Sequence, residues 1–260
     1  MTFIKINNKI ISKNSSIFTV AEIGINHNGV FNRAIKMIDY AKDAMFDAVK
    51  FQTFVPDLML KKNTSLANYQ KKTGYGNQFE MLKKNSLTFD EFEKLSKYCK
   101  KKKIIFLSTP FDIKSANFLK KLNMPAYKIS SGDNDNYLLL DHIKNFDKPI
   151  ILSTGMIDTK NLKKTLNHLK LRKNKLLLTH CVSSYPTNLR DSYLSNILTL
   201  KKLPYLYGYS DHTIGDQAIF CSISLGIKLI EKHITLDKYD NGPDHYCSME
   251  CKDLKKFITN

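Results

Sequence analysis

The sequence predicts an α/β fold, a (β/α)8 barrel with a short N-terminal β-hairpin, and three observations carry that prediction. Eight short apolar runs alternate with amphipathic stretches along a single chain of 260 residues. The runs read as parallel strands buried on both faces, which need helical crossovers to connect them. Each run ends in polar side chains, as the strands of a barrel with a site at its C-terminal face do. A doubly wound open sheet has the same alternation, but it normally carries a GxGxxG phosphate turn after an early strand. The only candidate, GINHNG after the first run, lacks that spacing.

The elements follow in order. Residues 1–12, with FIKI and KII around Asn7-Asn8, read as a small hairpin placed to plug the bottom of the barrel. The strand candidates are 17–23, 48–53, 104–109, 126–129, 149–153, 175–180, 205–210 and 228–234. Helical patterns lie at 30–45, 89–102, 113–121, 136–145, 158–170, 190–202 and 215–225, with a last one from Lys252. Thr88 precedes FDEFEKL with acidic residues in its first turn, and Asp158 opens TKNLKKTLNHL, both good N-cap arrangements. Residues 55–87, containing Gly74 and Gly76, form a long insertion after the second strand, where it is expected to cover the mouth. There is no repeat, low-complexity tract or linker, so residues 1–260 read as one barrel domain whose last helix is cut short.

The formal net charge of +17 raises the possibility of a polyanionic partner. Composition argues against nucleic acid: the positive charge is nearly all lysine, only Arg33, Arg172 and Arg190 offer bidentate forks, and tryptophan is absent. Pairs and triplets such as Lys61-Lys62, Lys83-Lys84 and Lys101 to Lys103 fit solvated helix faces and ends. No apolar run approaches the ~20 residues of a membrane span, and the N-terminus has no signal-peptide pattern, so a cytoplasmic location and no membrane partner are expected. The five cysteines are an odd number without CxxC spacing, which predicts buried free thiols.

Polar residues at the strand ends define the candidate site. In strand order they are Glu22 with Asn26, His27 and Asn28; Lys50 and Gln52; Ser108 and Thr109; and Lys128, Ser130, Ser131 and Asp133. Ser153, then His180 with Ser183 and Tyr185, then Ser210, Asp211 and His212, and finally Lys232 and His233 complete the ring. Lys50 and Lys128 lie in apolar strands, where an unpaired ammonium is costly. Hydroxyls from Thr109, Ser131, Ser153 and Ser210 around them suit a phosphate or carboxylate ligand, and a Schiff-base role for a strand-four lysine is the alternative. His212 and His233 on adjacent strand ends, with Glu22 beside them in a closed barrel, suit a divalent ion such as Mn2+, Fe2+ or Zn2+. Asp244, in NGPDH, is a carboxylate over the same mouth, placed to orient a hydroxyl-rich substrate.

The segments AEIGINHNG, VKFQT, STPFD, KISSGD, STGM, CVSSYPT, GYSDHT, EKHIT and NGPDH, in that order, resemble the sialic acid synthase family, including its legionaminic and pseudaminic relatives. The resemblance runs from residue 21 to about 250. It implies a metal-dependent enzyme that condenses phosphoenolpyruvate with an N-acetylmannosamine-type amino sugar, giving a nonulosonic acid and phosphate. It implies Mn2+, or alternatively Mg2+, Co2+ or Fe2+, on His212 and His233. By motif, Lys50, Thr109, Lys128, Ser131, Ser153, Tyr185 and Ser210 would hold phosphoenolpyruvate. Gln52, Tyr185 and Asp244 would meet the sugar, and Glu22 would handle protons.

Three departures stand out. Asp133 occupies a position where neuraminate-forming members commonly have Glu, which leaves the choice of amino sugar open. Ser183 replaces an Asn often seen before Tyr185. The family's C-terminal antifreeze-like domain, which reaches across a dimer, is expected to be absent; the resemblance implies a homodimer and leaves a separate antifreeze-like protein as a partner. Two other readings remain: a related synthase condensing phosphoenolpyruvate with a phosphorylated sugar, and a truncated barrel that only binds.

Overall fold

Strand periodicity of two sorts each run into one row facing the barrel axis and one row facing the helices, and the computed structural model, which describes residues 2–259, shows this sorting throughout. Met1 and Asn260, the ends of the expected domain, lie outside the described residues. The hairpin is β1 (Phe3–Ile6) and β2 (Lys9–Ser12), antiparallel. The barrel strands are β3 (Phe18–Gly24), β4 (Ala48–Thr53), β5 (Ile105–Pro110), β6 (Tyr127–Ile129), β7 (Ile150–Ser153), β8 (Leu176–His180), β9 (Leu206–Asp211) and β10 (Leu229–Thr235). They pair in parallel in the order β5-β4-β3-β10-β9-β8-β7-β6, and β5 lies beside β6 across the remaining seam. There the Ser108 N–H points at the Met124 sulfur, 3.1 Å away.

Inward-facing Phe18, Val20, Ala48, Ile105, Leu107, Ala126, Ile151, Leu177, Leu206 and Leu229 pack with Ile4, Ile6 and Ile11 of the hairpin. The hairpin therefore closes the N-terminal end of the barrel with a dry apolar plug, as expected from sequence. The alternate residues, among them Ile23, Val49, Phe51, Phe106, Ile129, Leu152, Leu178, Tyr209 and Ile234, form the larger core under the helices. Above the apolar plug the same inward rows turn polar, and that change of composition makes the site.

The helices are α1 (Phe31–Asp43), α2 (Pro56–Met59), α3 (Gln78–Asn85), α4 (Phe89–Lys102), α5 (Ile113–Lys121), α6 (Tyr137–Lys144), α7 (Thr159–Leu169), α8 (Asn196–Lys201), α9 (Gln217–Ile223) and α10 (Leu254–Thr259). Thr88 and Glu91 form a full capping box on α4, and the Asp158 side chain accepts from the Asn161 N–H at the start of α7. The pattern at 190–202 is shorter as a helix than expected. Leu189–Ser192 is a 3-10 turn, Tyr193 takes a left-handed φ of 45°, and only then does α8 begin. A two-residue strand, β11 (Met249–Glu250), extends the edge of β10 and was not foreseen.

The insertion behaves as expected. α2, a 3-10 turn at Gln70–Thr73 and α3 fold over the C-terminal face, where Met81 and Leu82 pack with Ile25 and Phe54. Four cysteines are buried free thiols; Cys221 is exposed, because it sits on the outer face of the short α9. No described helix is long and apolar enough to cross a membrane.

Candidate active site

The strand register brings the polar ends together. On β9 and β10, Ser210 pairs with Glu231 and Asp211 with Lys232; on β3, Glu22 pairs with His233 on one side and Lys50 of β4 on the other. Together with residues from β5 to β8 and the insertion they line a cavity of about 660 Å³. Of the polar residues expected at the mouth, the thirteen singled out for catalysis, substrate or metal lie on its wall: Glu22, Lys50, Gln52, Thr109, Lys128, Ser131, Asp133, Ser153, Tyr185, Ser210, His212, His233 and Asp244.

At its floor is a four-charge cluster. Lys128 Nζ lies 2.8 Å from both carboxylate oxygens of Glu231, Lys50 Nζ lies 2.7 Å from Glu22 Oε2 and 3.6 Å from Glu231 Oε1, and all four side chains are buried. Thr109 Oγ1 accepts from Lys50 at 3.2 Å, and Ser210 donates to Glu231 at 2.9 Å. Burial alone would raise Glu231, but Lys128 and Lys50 hold its carboxyl well below the usual range. Glu22 has the weaker compensation: burial pushes it up to about 7, against the opposing pull of Lys50. The two carboxylates thus divide into a permanently ionised one and one able to carry a proton near neutrality. Burial lowers Lys128, whereas Glu22 and Glu231 more than offset burial at Lys50 and raise it.

Glu231 was missed at the sequence level. It lies two residues before His233, on the same inward row between Leu229 and the histidine, so strand periodicity would have found it. Tyr69 of the insertion and Cys181 after β8 also line the cavity unforeseen. Tyr69 stacks on Tyr185 at 5.2 Å, and Tyr185 packs on His212 at 4.2 Å between ring centroids. Ser131 Oγ lies 3.0 Å from Cys181 Sγ and accepts from the Gly155 N–H, while Ser153 bonds Thr179 at 3.1 Å. Asp133 is held by Ser130 at 2.6 Å and Asn136 at 3.1 Å.

The His212 and His233 rings lie 5.4 Å apart between centroids. His212 Nδ1 bonds the Val182 carbonyl at 2.6 Å, which makes it the protonated nitrogen and leaves the Nε2 lone pair free. Burial lowers His212 to about 4 and His233 well below its ordinary value, so both are neutral, the form in which imidazole ligates metal. His233 Nδ1 is buried without a hydrogen-bond partner, and the nearest carboxylate oxygen, on Asp244, is 4.0 Å away. Burial raises Asp244 to about 7. Among the described residues no three His, Cys, Asp or Glu side chains gather into a complete cage. The two neutral imidazoles, with His233 Nδ1 unpartnered, are donors of the kind that suit a divalent transition ion, and they supply two protein ligands with no third beside them among the described residues. Gly24 makes room for this corner: at φ +54°, a Cβ there would sit 3.3 Å from Glu22 Oε1 and 3.6 Å from His233 Cε1.

Several other polar strand ends prove to lie outside the cavity. Period two turns Ser108, Asp211 and Lys232 toward the helices: Ser108 bonds Thr53, and Lys232 pairs with Asp211 at 2.6 Å. His180 stacks on Tyr209 and bonds the Ser192 carbonyl. Asn26, His27 and Asn28 hold the loop after β3, with Asn26 reaching the Ile234 carbonyl and Asn28 bonding His245. His27 Nδ1 accepts from the Gly29 N–H, and burial, with a smaller effect of Arg33, lowers it to about 3. The folded state therefore binds fewer protons at His27 than the unfolded chain, so its contribution is complete above pH 6.5 and lost as pH falls toward 3. His27→Asn keeps an acceptor for Gly29 and removes the titration. In urea unfolding, wild type should lose about 2 kcal/mol more than this variant between pH 7 and pH 5; equal losses would refute the assignment.

Comparison with known proteins identifies the family to which this barrel belongs. The NeuB family profile matches residues 37–260. The chain is 39% identical over 246 residues to N,N'-diacetyllegionaminic acid synthase of Campylobacter jejuni, covering 92% of this chain and 74% of that one. It is 36% identical to N-acetylneuraminate-9-phosphate synthase of Drosophila melanogaster over 253 residues, covering 94% and 67%. A crystal structure of N-acetylneuraminic acid synthetase from Leptospira borgpetersenii in complex with citrate superposes with a TM-score of 0.87 at 34% identity, covering 99% of this chain and 87% of that one. A family profile matched across most of the chain, on a barrel whose strand ends converge on one polar cavity, places this protein in the NeuB family of sialic acid synthase-type enzymes.

Proposed function

We propose that the protein condenses phosphoenolpyruvate with the open-chain aldehyde of an N-acetylmannosamine-type amino sugar, forming a nonulosonic acid and inorganic phosphate. One observation carries the reading: two buried ammonium groups and a hydroxyl shell stand on the same cavity wall as a pair of neutral histidines. Anion binding and carbonyl activation are the two requirements of that reaction. The names of the similar synthases, which state an acidic sugar as product, and the citrate bound by the Leptospira protein support a site for carboxylate-bearing ligands.

Lys50 and Lys128, with Thr109, Ser131, Ser153 and Ser210, hold the carboxylate and phosphate of phosphoenolpyruvate, and the ammonium groups keep stabilising phosphate charge as it leaves. With Glu22 and Glu231 both ionised, the two ammonium charges are already matched, so an entering anion favours a proton on Glu22, whose pKa lies near 7. Mn2+, or alternatively Mg2+, Co2+ or Fe2+, held by His212 and His233 would draw electron density from the aldehyde oxygen. The enol carbon adds to the aldehyde carbon while protonated Glu22 gives its proton to the aldehyde oxygen, which becomes the sugar hydroxyl, leaving a cationic centre at C2 beside Glu22 and Glu231. Glu22, now a carboxylate, takes a proton from the water that adds to C2; the C2–O bond to phosphorus then breaks, phosphate leaves with that oxygen, and the new C2 hydroxyl gives up its proton to the departing phosphate as the ketone forms. Gln52, Tyr185 and Asp244 orient the sugar, and Asp133 forms the wall that selects among amino sugars. The lysines bind anions here instead of forming a Schiff base, because each is already engaged by a carboxylate at 2.7–2.8 Å.

A phosphate-release assay with Mn2+, phosphoenolpyruvate and a sugar panel tests this. Release is expected only with both substrates, with N-acetylmannosamine or a 2,4-diacetamido-trideoxy hexose. Release only with phosphorylated sugars would favour the related sugar-phosphate synthase, and none with any sugar would leave a binding barrel.

A further inference from the structure

Behind the two histidines, on the helix-facing side of the sheet, lies a fully buried ion pair that the proposed chemistry does not use. Asp211 and Lys232 are cross-strand partners in register on β9 and β10, with Lys232 Nζ 2.6 Å from Asp211 Oδ2 and both side chains inaccessible to solvent. Each is the immediate chain neighbour of a histidine, Asp211 of His212 and Lys232 of His233. The same ammonium donates to the Thr213 carbonyl, so Lys232 grips the residues on both sides of His212. The remaining carboxylate valences are filled as well: Tyr209 OH donates to Asp211 Oδ1 at 2.9 Å, and Thr213 donates from its N–H at 2.9 Å and its hydroxyl at 3.1 Å.

A buried ion pair is seldom a net source of stability, since an apolar pair of similar volume often does as well. Its surplus is geometric: it fixes where two strands sit relative to one another. Here the strand positions so fixed are those that carry His212 and His233, whose rings lie 5.4 Å apart. We propose that Asp211 and Lys232 are positioning residues that lock the spacing of the His212–His233 pair from the opposite face of the sheet, and so set its affinity for a divalent cation. The inference rests on the metal reading above.

Asp211→Asn combined with Lys232→Met removes both charges while keeping the volume. Manganese binding, followed by electron paramagnetic resonance of free Mn2+, should weaken at least ~10-fold, the scale of lost outer-shell support, while the melting temperature stays close to wild type. An affinity within twofold of wild type in the folded variant would overturn the proposal. Tyr209→Phe, which removes a single hydrogen bond to Asp211, guards against failure of the double variant to fold; it should weaken Mn2+ binding about fivefold, and unchanged affinity overturns the proposal equally. The His212→Ala control separates the two ideas. If wild type binds Mn2+ no better than that control, the metal reading itself fails and takes this inference with it.

Discussion

His233→Ala should abolish Mn2+ binding and reduce turnover by at least about 10³-fold, and His212→Ala should do the same, because neither imidazole alone provides more than one ligand. The fold should survive both changes. Both side chains face a cavity, so truncation enlarges existing space without opening a void in the packed core, and the apolar plug lies several residues away along each strand. The expected pattern is a folded protein that still binds phosphoenolpyruvate through its lysines, yet turns over neither substrate. Titration with Mn2+ alongside a phosphate-release assay checks it. Activity and Mn2+ affinity both surviving either change would remove the histidines from the metal assignment.

The second large effect is at Lys128. Replacing it with methionine removes the ammonium that holds both oxygens of Glu231 at 2.8 Å, leaving a buried carboxylate with Lys50 at 3.6 Å and the Ser210 hydroxyl. Breaking one side of a buried pair costs about 3 kcal/mol in stability. The apparent KM for phosphoenolpyruvate should rise about 100-fold, equivalent to the ~2.7 kcal/mol lost with one charge-assisted contact. Adding Glu231→Gln to Lys128→Met should restore most of the stability, since no unpaired charge is then buried, but not the KM. Thermal melts and steady-state kinetics separate the two quantities. Recovery of KM in the double variant would mean that Lys128 serves only to neutralise Glu231 and does not touch substrate.

Much of this architecture is legible in the sequence because barrel strands are short, buried on both faces and separated by amphipathic helices. The run 48–53 and the helices 89–102 and 113–121 match their expected bounds in full. Legibility ends where local pattern and tertiary context diverge. Residues 190–202 look uniformly helical, but His180 takes the Ser192 carbonyl and Tyr193 turns left-handed, delaying α8. At the site, listing every polar residue at a strand end mixes two faces. Asp211 and Lys232 are as polar and as close to the strand ends as Ser210 and His233, yet they point the other way. Glu231 was passed over in favour of its neighbours, although it completes the charge balance of both lysines. Tyr69 could not be placed from sequence at all, since nothing in the insertion shows that its ring reaches Tyr185. The surface lysine excess, by contrast, remains a property of helix faces, and the positive charge that the proposed chemistry uses at substrate sits on two buried side chains, Lys50 and Lys128.

In the proposed reaction this cavity joins the enol carbon of phosphoenolpyruvate to a sugar aldehyde and expels phosphate from C2. Its most direct test is a single-turnover reaction with phosphoenolpyruvate labelled with ¹⁸O at the bridging C–O–P oxygen, in the presence of Mn2+ and an N-acetylated amino sugar. The label is expected to leave with inorganic phosphate, and the sugar to gain a three-carbon carboxylate unit. Label retained in the organic product, or phosphate released at the same rate without any sugar, would contradict it.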